Sequence, residues 1–286
     1  MRDDIKKILA LDTSSVVSVA CVTVSAEGAV SAEGSVDAES AVDTQHVAGV
    51  EVIAEAVTDS TTRHAEDLIP VCKQLLAQAG WERPDAVLVG EGPGPFTGLR
   101  VGIAAGQTLA FAWGIEAYGV CSLDGLAAQL LAEGNLASVA ESSPAEATVA
   151  AAGQEPATAA ATGEEPGEDA TAGSGPVLTA ALDARRRELY WATYARNGAR
   201  VDGPHVTKPD ELPAAYPVGG AGAGVRGEEL AEAGIPVLSG AETSPVSAAY
   251  LARAWYAAGM PTAPPVARYL RESDAVVPAA MQGRQR

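Results

Sequence analysis

The stretch VLVGEGPGPFTGLRVGIAAGQTLAFAW, Val87 to Trp113, joins a short apolar run, a Gly/Pro loop and a long run of small residues. Ala86 to Val89 is a bounded β-branched run of strand length, and apolar residues at helical spacing follow the Gly90 to Gly98 loop. The order is strand, turn, helix. Within the helix Gly98, Gly102, Gly106, Ala110 and Gly114 recur every four residues, forming one row along about 24 Å. Each interior glycine costs about 1 kcal/mol relative to alanine, so such a row implies that something packs closely against it.

Outward from this stretch, 286 residues suffice for one large or two medium domains with real cores. The formal charge of -18 is unevenly placed. Eight acids and no Lys or Arg lie between Ser25 and Thr62, and eight more acids, again without a base, lie between Glu133 and Pro176. These two stretches carry nearly all of the net charge, and the presumed core is close to neutral. Cys21, Cys72 and Cys121 sit in or beside apolar runs without CxxC spacing, which predicts buried reduced thiols and a cytoplasmic location. The amino terminus lacks a signal pattern and no apolar run reaches membrane-spanning length, so no membrane association is expected.

Ile8 to Thr13 reads as a strand ending in a polar turn, Val16 to Val24 as its return strand, and Val50 to Val57 as a third strand. Residues 26–48 are small and acidic, too poor in large apolar groups to offset ordering entropy, and are expected to form a flexible hairpin extension. Thr61 or Thr62 is expected to cap the next helix. Its buried stripe would be Ala65, Leu68, Ile69, Cys72, Leu75, Leu76 and Ala79, with a kink at Pro70 and an end at Gly80. After the opening stretch come a short strand at Tyr118 to Cys121 and a helix at Leu123 to Leu131. Residues 133–176 read as a disordered acidic insertion.

Order resumes with a strand at Val177 to Leu182, a turn at Asp183 to Arg186, and a partner strand at Glu188 to Tyr194. A second glycine loop, Val218 to Gly224, precedes a short helix and a strand at Ile235 to Leu238. Ser244-Pro245 reads as the cap of a last helix running to about Ala258. Two sets of strand hairpins, each followed by helices, indicate an α/β protein of two related halves. The first spans 1–117 and is completed by the helix 244–258, the second spans 118–243, and 259–286 is a C-terminal tail.

Several chemistries can be weighed. Gly92 to Gly98 is GxGxxxG, one residue longer than a dinucleotide fingerprint, and Pro93 and Pro95 remove two amide donors. A rigid turn is therefore favoured over a phosphate cradle. Thr97 lies off the central position of a nucleophile elbow, and a Cys72/His64 pair is separated by about 12 Å of helix. His46, His64 and His205 have no metal-ligand spacing, so no metal is expected. His64 reads as a surface or interface histidine. Asp12, at the carboxyl end of the first strand, reads equally as a metal–phosphate carboxylate or as a turn-forming residue.

Six blocks in order, ILALDTSS, RHAEDLIP, VGEGPGPFTGLRVGIAAGQTLA, GVCSLDGLAA, ALDARRRELYWATY and the tail YLRESDAV, resemble the TsaB (YeaZ) family. The resemblance covers most of the chain outside the two acidic insertions. It implies the actin-like, sugar-kinase-like fold (ASKHA, ribonuclease H-like) with duplicated α/β domains. It also implies a non-catalytic dimerisation subunit of the machinery that makes threonylcarbamoyladenosine (t6A) at adenosine 37 of tRNA. The catalytic relative TsaD carries a metal-binding HxxxH, and here the corresponding positions hold Ser122 and Leu126, neither of which replaces imidazole.

The resemblance further implies partners: TsaD, the P-loop ATPase TsaE, and tRNA through the complex, with a homodimer when the chain is alone. ATP is used by the complex, with no cofactor bound tightly to this chain. Family members pair through two helices, here about His64 to Ala79 and Gly98 to Trp113. The expected interface is His64, Leu68, Cys72, Leu75, Leu99, Arg100, Gly102, Ile103, Gly106 and Ala110, with the glycine row admitting a partner helix. Asp12, Thr13 and Ser14 would be a vestigial nucleotide site. The alternative is a free-standing nucleotide-binding kinase or transferase of the actin-like fold that uses Asp12 and the two glycine loops. A peptidase finds no nucleophile–base pair in the sequence.

Overall fold

The computed structural model describes residues 5–25, 46–47, 49–133 and 175–271. Most of both acidic insertions and the last part of the tail, including much of YLRESDAV, lie outside the described residues.

The first sheet has the order β3-β4-β2-β1-β5-β6. Its strands are β1 (Ile5–Asp12), β2 (Ser18–Ser25), β3 (His46–Val47), β4 (Val50–Val57), β5 (Ala86–Gly90) and β6 (Glu116–Val120). β1 pairs antiparallel with β2 and parallel with β5, so it lies in the middle of the sheet. That position explains why Ile8 to Leu11 are apolar without alternation, since a strand covered on both faces has no polar side. The second sheet has the order β10-β7-β8-β9. It is built from β7 (Pro176–Asp183), β8 (Leu189–Ala195), β9 (Arg200–Thr207) and β10 (Val218–Gly219). In each sheet the first strand joins an antiparallel meander on one side and a later parallel strand on the other. The duplicated, actin-like α/β fold is thus present.

Helices complete the layers. α1 (His64–Gln78) and α2 (Phe96–Trp113) cover one face of the first sheet, where Leu68, Cys72, Leu75 and Ala110 meet Leu9, Leu11, Val19 and Val87. On the other face α6 (Ala248–Ala257) sets Leu251, Trp255 and Tyr256 against Ile8, Ala20, Val22 and Leu88. α6 also packs on α3 (Ser122–Ala132), where Gly125 leaves room for the Leu251 backbone; a Cβ there would lie 3.0 Å from Leu251 Cα. α3 in turn covers the second sheet through Leu123, Leu126 and Leu130. The remaining face is closed by α4 (Ala221–Val225) and α5 (Gly227–Glu232) through Ala223 and Leu230.

Several local expectations are corrected. α1 starts at His64 after Arg63, with no side-chain cap; Ser60 Oγ accepts from the Arg63 N–H instead. Ala65 is exposed, His64 takes its place on the buried stripe, and the helix runs on through Pro70. α6 is capped by Ser247, three residues after Ser244, because residues 244–247 are engaged elsewhere. The Ser244 carbonyl accepts from Ala221 N–H, Ser247 Oγ donates to Glu55 Oε1 at 2.6 Å, and Ser18 Oγ accepts from Ala248 N–H at 2.8 Å. β9 was missed because RVDGPHVT carries Gly203-Pro204; as the edge strand of its sheet it tolerates a proline. Within Ile235 to Leu238 only a single bridge, Val218 to Val237, forms.

Candidate functional site

The carboxyl end of β1 meets the starts of three helices. Asp12 is buried there. Its Oδ1 accepts from the Ser14 N–H at 2.7 Å and the Ser14 hydroxyl at 2.5 Å, and its Oδ2 accepts from the Ser122 hydroxyl at 2.5 Å. Ser122 Oγ in turn accepts from the Gly92 N–H at 3.0 Å, tying the first turn of α3 to the proline loop. Burial pushes the Asp12 carboxyl above its ordinary value, outweighing the hydrogen bonds from Ser122 and Ser14 and the charge of His64. Gly90 lies so close that a Cβ there would overlap Asp12 Oδ2. Both carboxylate oxygens are engaged inside the chain, Oδ1 by Ser14 and Oδ2 by Ser122. Asp12 makes the turn contact to the Ser14 N–H and has Ser122 as an added partner 110 residues away.

The glycine row faces the same place. A Cβ on Gly98 would lie 2.5 Å from the Thr13 carbonyl oxygen, one on Gly102 2.2 Å from Thr13 Oγ1, and one on Gly106 2.4 Å from Val89 Cγ2. Thr13 Oγ1 donates to the Gly98 carbonyl at 2.8 Å across this narrow gap. The small residues therefore admit the chain's own first strand and turn, not a second molecule. This corrects the expected interface. Gly102, Gly106, Leu99 and Ala110 are buried against the chain itself, and so are His64, Leu68, Cys72 and Leu75 on α1. The Ser15 carbonyl lies 3.3 Å from His64 Nε2. Leucine at Gly102 or Gly106 would disrupt the fold rather than probe a partner.

Of the expected interface residues, Arg100 and Ile103 alone reach the outer side of α2, Ile103 in part. That side holds features the sequence reading did not use. Phe96, Arg100, Ile103, Ala104, Gln107 and Phe111 follow one another at helical spacing along it. The chain has two phenylalanines, and these are both of them, 40% and 89% exposed.

The segment after α6 runs beside this face. Glu91, buried at the end of β5, accepts from Val266 N–H through Oε1 at 2.9 Å and from Arg268 Nε through Oε2 at 2.8 Å. The segment then places Tyr269 against Phe96, with ring centroids 5.0 Å apart, and the Tyr269 hydroxyl accepts from Arg100 Nε at 3.1 Å. The Arg100 guanidinium lies 3.8 Å from the Phe96 ring centre. Arg100, Ile103, Ala104, Gln107, Ala267 and Tyr269 line a cavity of about 340 Å³ between helix and segment.

The thiols carry no reactive character. Burial pushes Cys21 up to about 11 and Cys72 and Cys121 up to about 12, so all three stay protonated. Among the described residues no group of three or more His, Cys, Asp or Glu side chains is placed to hold a metal ion, and no helix is long and apolar enough to cross a membrane.

The family described as TsaD, tRNA N6-adenosine threonylcarbamoyltransferase, matches residues 51–164. An uncharacterized protein of Mycobacterium tuberculosis is 35% identical over 226 residues, covering 78% of this chain and 82% of the relative. Among solved structures, YeaZ from Pseudomonas aeruginosa superimposes with a TM-score of 0.57 at 22% identity, covering 93% of this chain and all of that one. The chain belongs to one family with the Mycobacterium tuberculosis protein, and it shares the fold of YeaZ. An uncharacterized protein of Mycobacterium leprae is 32% identical over 225 residues, and this chain spans about half of that relative's length, 48%. Within this YeaZ-like fold, Ser122 and Leu126 are both buried in the first turns of α3, Ser122 bonded to Asp12 and Leu126 packed in the core of the second sheet.

Proposed function

We propose that this chain is the non-catalytic scaffold and activator subunit of the assembly that transfers a threonylcarbamoyl group to N6 of adenosine 37 in tRNA. It binds the catalytic relative TsaD, works with the P-loop ATPase TsaE that uses ATP, and meets tRNA within the complex. The observation that carries the non-catalytic reading is the closed Asp12 cluster. Ser122 stands where TsaD has a metal-binding histidine, and its hydroxyl is engaged by Asp12 and Gly92. A nucleotide-binding kinase would need Asp12 turned to its ligand, so calorimetric Mg–ATP binding lost in Asp12→Ala would overturn this reading in favour of that one.

The docking face of this proposal is the outer side of α2 rather than the glycine row. A stripe running from Phe96 to Phe111 exposes apolar area together with an arginine, the composition of protein–protein contact centres. It also serves the homodimer of the isolated chain. Ala104→Arg with Phe111→Ser alters two exposed positions and should leave Tm unchanged while weakening capture of TsaD at least tenfold. Undiminished capture by the folded double variant would sink the assignment of this face.

A further inference from the structure

The turn between β7 and β8 runs through Arg185, Arg186 and Arg187, three consecutive exposed residues with φ of 59°, 52° and 63°. The left-handed region is costly for any residue with a bulky side chain, and hairpins usually meet it with Gly, Asn or Asp. Three arginines in a row at such positions are poorly explained by turn geometry. Backbone conformations of this kind persist where the side chains have a task.

The surroundings of the turn have the same bias. Asp183 and Glu188 flank it, and each is met by an arginine from elsewhere in the fold. Arg226, between α4 and α5, lies 3.5 Å from Asp183 Oδ1 and 3.6 Å from Glu229 Oε1, and Arg271 pairs with Glu188. The two acids flanking the turn are thus each met by an arginine from another part of the fold. The turn is also held in place. Ala184 N–H donates to the Glu188 carbonyl at 3.0 Å, Glu188 N–H to the Arg185 carbonyl at 2.9 Å, and Arg271 Nη1 to the Ala184 carbonyl at 3.0 Å. Residues of a left-handed turn project about 100° apart, so the three guanidiniums do not converge on one small anion. Guanidinium is also the side chain best matched to phosphate oxygens.

We propose that the Arg185–Arg187 turn is a contact site for the phosphate backbone of RNA, and that this is where the chain touches tRNA. The choice of tRNA rests on the proposed function; the cationic site does not. The test measures binding of unmodified tRNA to the full isolated chain by fluorescence anisotropy between 50 and 200 mM salt, as general conditions for counterion release. The variant Arg185→Asn, Arg186→Asn, Arg187→Asn removes the charge with residues that tolerate the left-handed conformation, so it should fold, which a thermal melt checks. Lys73→Gln, on the exposed side of α1, is the control.

Affinity should fall at least tenfold in the triple variant, and the slope of log K against log salt should shrink by about 2 to 3, near 0.7–0.9 for each lost phosphate contact. Lys73→Gln should behave as the parent. Unchanged affinity and slope in the triple variant, no salt-dependent tRNA binding by the parent, or capture of polyglutamate without capture of tRNA would each overturn the proposal. Loss of TsaD capture with this tRNA binding intact would instead count against the proposed scaffold role alone.

Discussion

Asp12 is a buried carboxylate that ties together segments far apart in the chain. It links the β1 turn to the start of α3, and burial raises its proton affinity above that of the unfolded chain, whose value is near 3.8. The folded state therefore binds the proton more tightly than the unfolded state. Asp12's contribution is fully present below the unfolded value and is lost as pH rises through the raised folded value. Asp12→Asn, which keeps the shape and can still bond Ser14 and Ser122, should melt close to the parent at pH 4 and progressively above it toward pH 8. A constant gap across that range would contradict the assignment. The sequence left Asp12 evenly balanced between two roles because its second partner, Ser122, is remote in the chain. The Gly98, Gly102 and Gly106 row was legible as a close-packing surface, and its period is right. Its direction was not, because the contact is with Thr13 and Val89 of the same chain.

At the scale of elements, the segment after α6 acts as a strap fastened mainly by Glu91. Besides the two side-chain bonds, the Glu91 carbonyl accepts from Arg268 N–H at 2.9 Å, and Gly119 N–H donates to the Ala263 carbonyl at 2.9 Å. Glu91→Ala leaves the Val266 N–H and the Arg268 guanidinium without this acceptor, at a cost of about 1–3 kcal/mol. The expected sign is faster tryptic cleavage after Arg268 and Arg271 with α2 otherwise intact; an unchanged cleavage rate would show that the strap is held elsewhere. The strap was invisible in the sequence because it has no periodicity to read and is held by long-range polar bonds. Elements with strong periodicity, such as α2, were legible throughout. Starts of helices were less so, since Thr61, Thr62 and Ser244 all have capping chemistry, and only the tertiary anchors of Ser247 and Ser18 select where the turn begins.

At the scale of the whole molecule, α6 is the last helix among the described residues and yet lies between the two sheets. Leu251, Trp255 and Tyr256 fill the face of the first sheet opposite α1 and α2, while Gly125 of α3 receives the Leu251 backbone. A chain ending at residue 243 exposes that apolar face along Ile8, Ala20, Val22 and Leu88, so it should bind a hydrophobic dye and lose cooperative melting. A sharp transition at the parental Tm would refute this role for α6. The sequence by itself determined the strand, loop and helix of Val87 to Trp113, the repeated hairpins, and the likeness to the TsaB family, because these depend on local period and local composition. Only the tertiary structure decided that the glycine row turns inward, that the phenylalanines turn outward, and that Ser122 closes the Asp12 cluster. Periodicity says which residues share a face of a helix; what that face meets depends on which distant segment covers it.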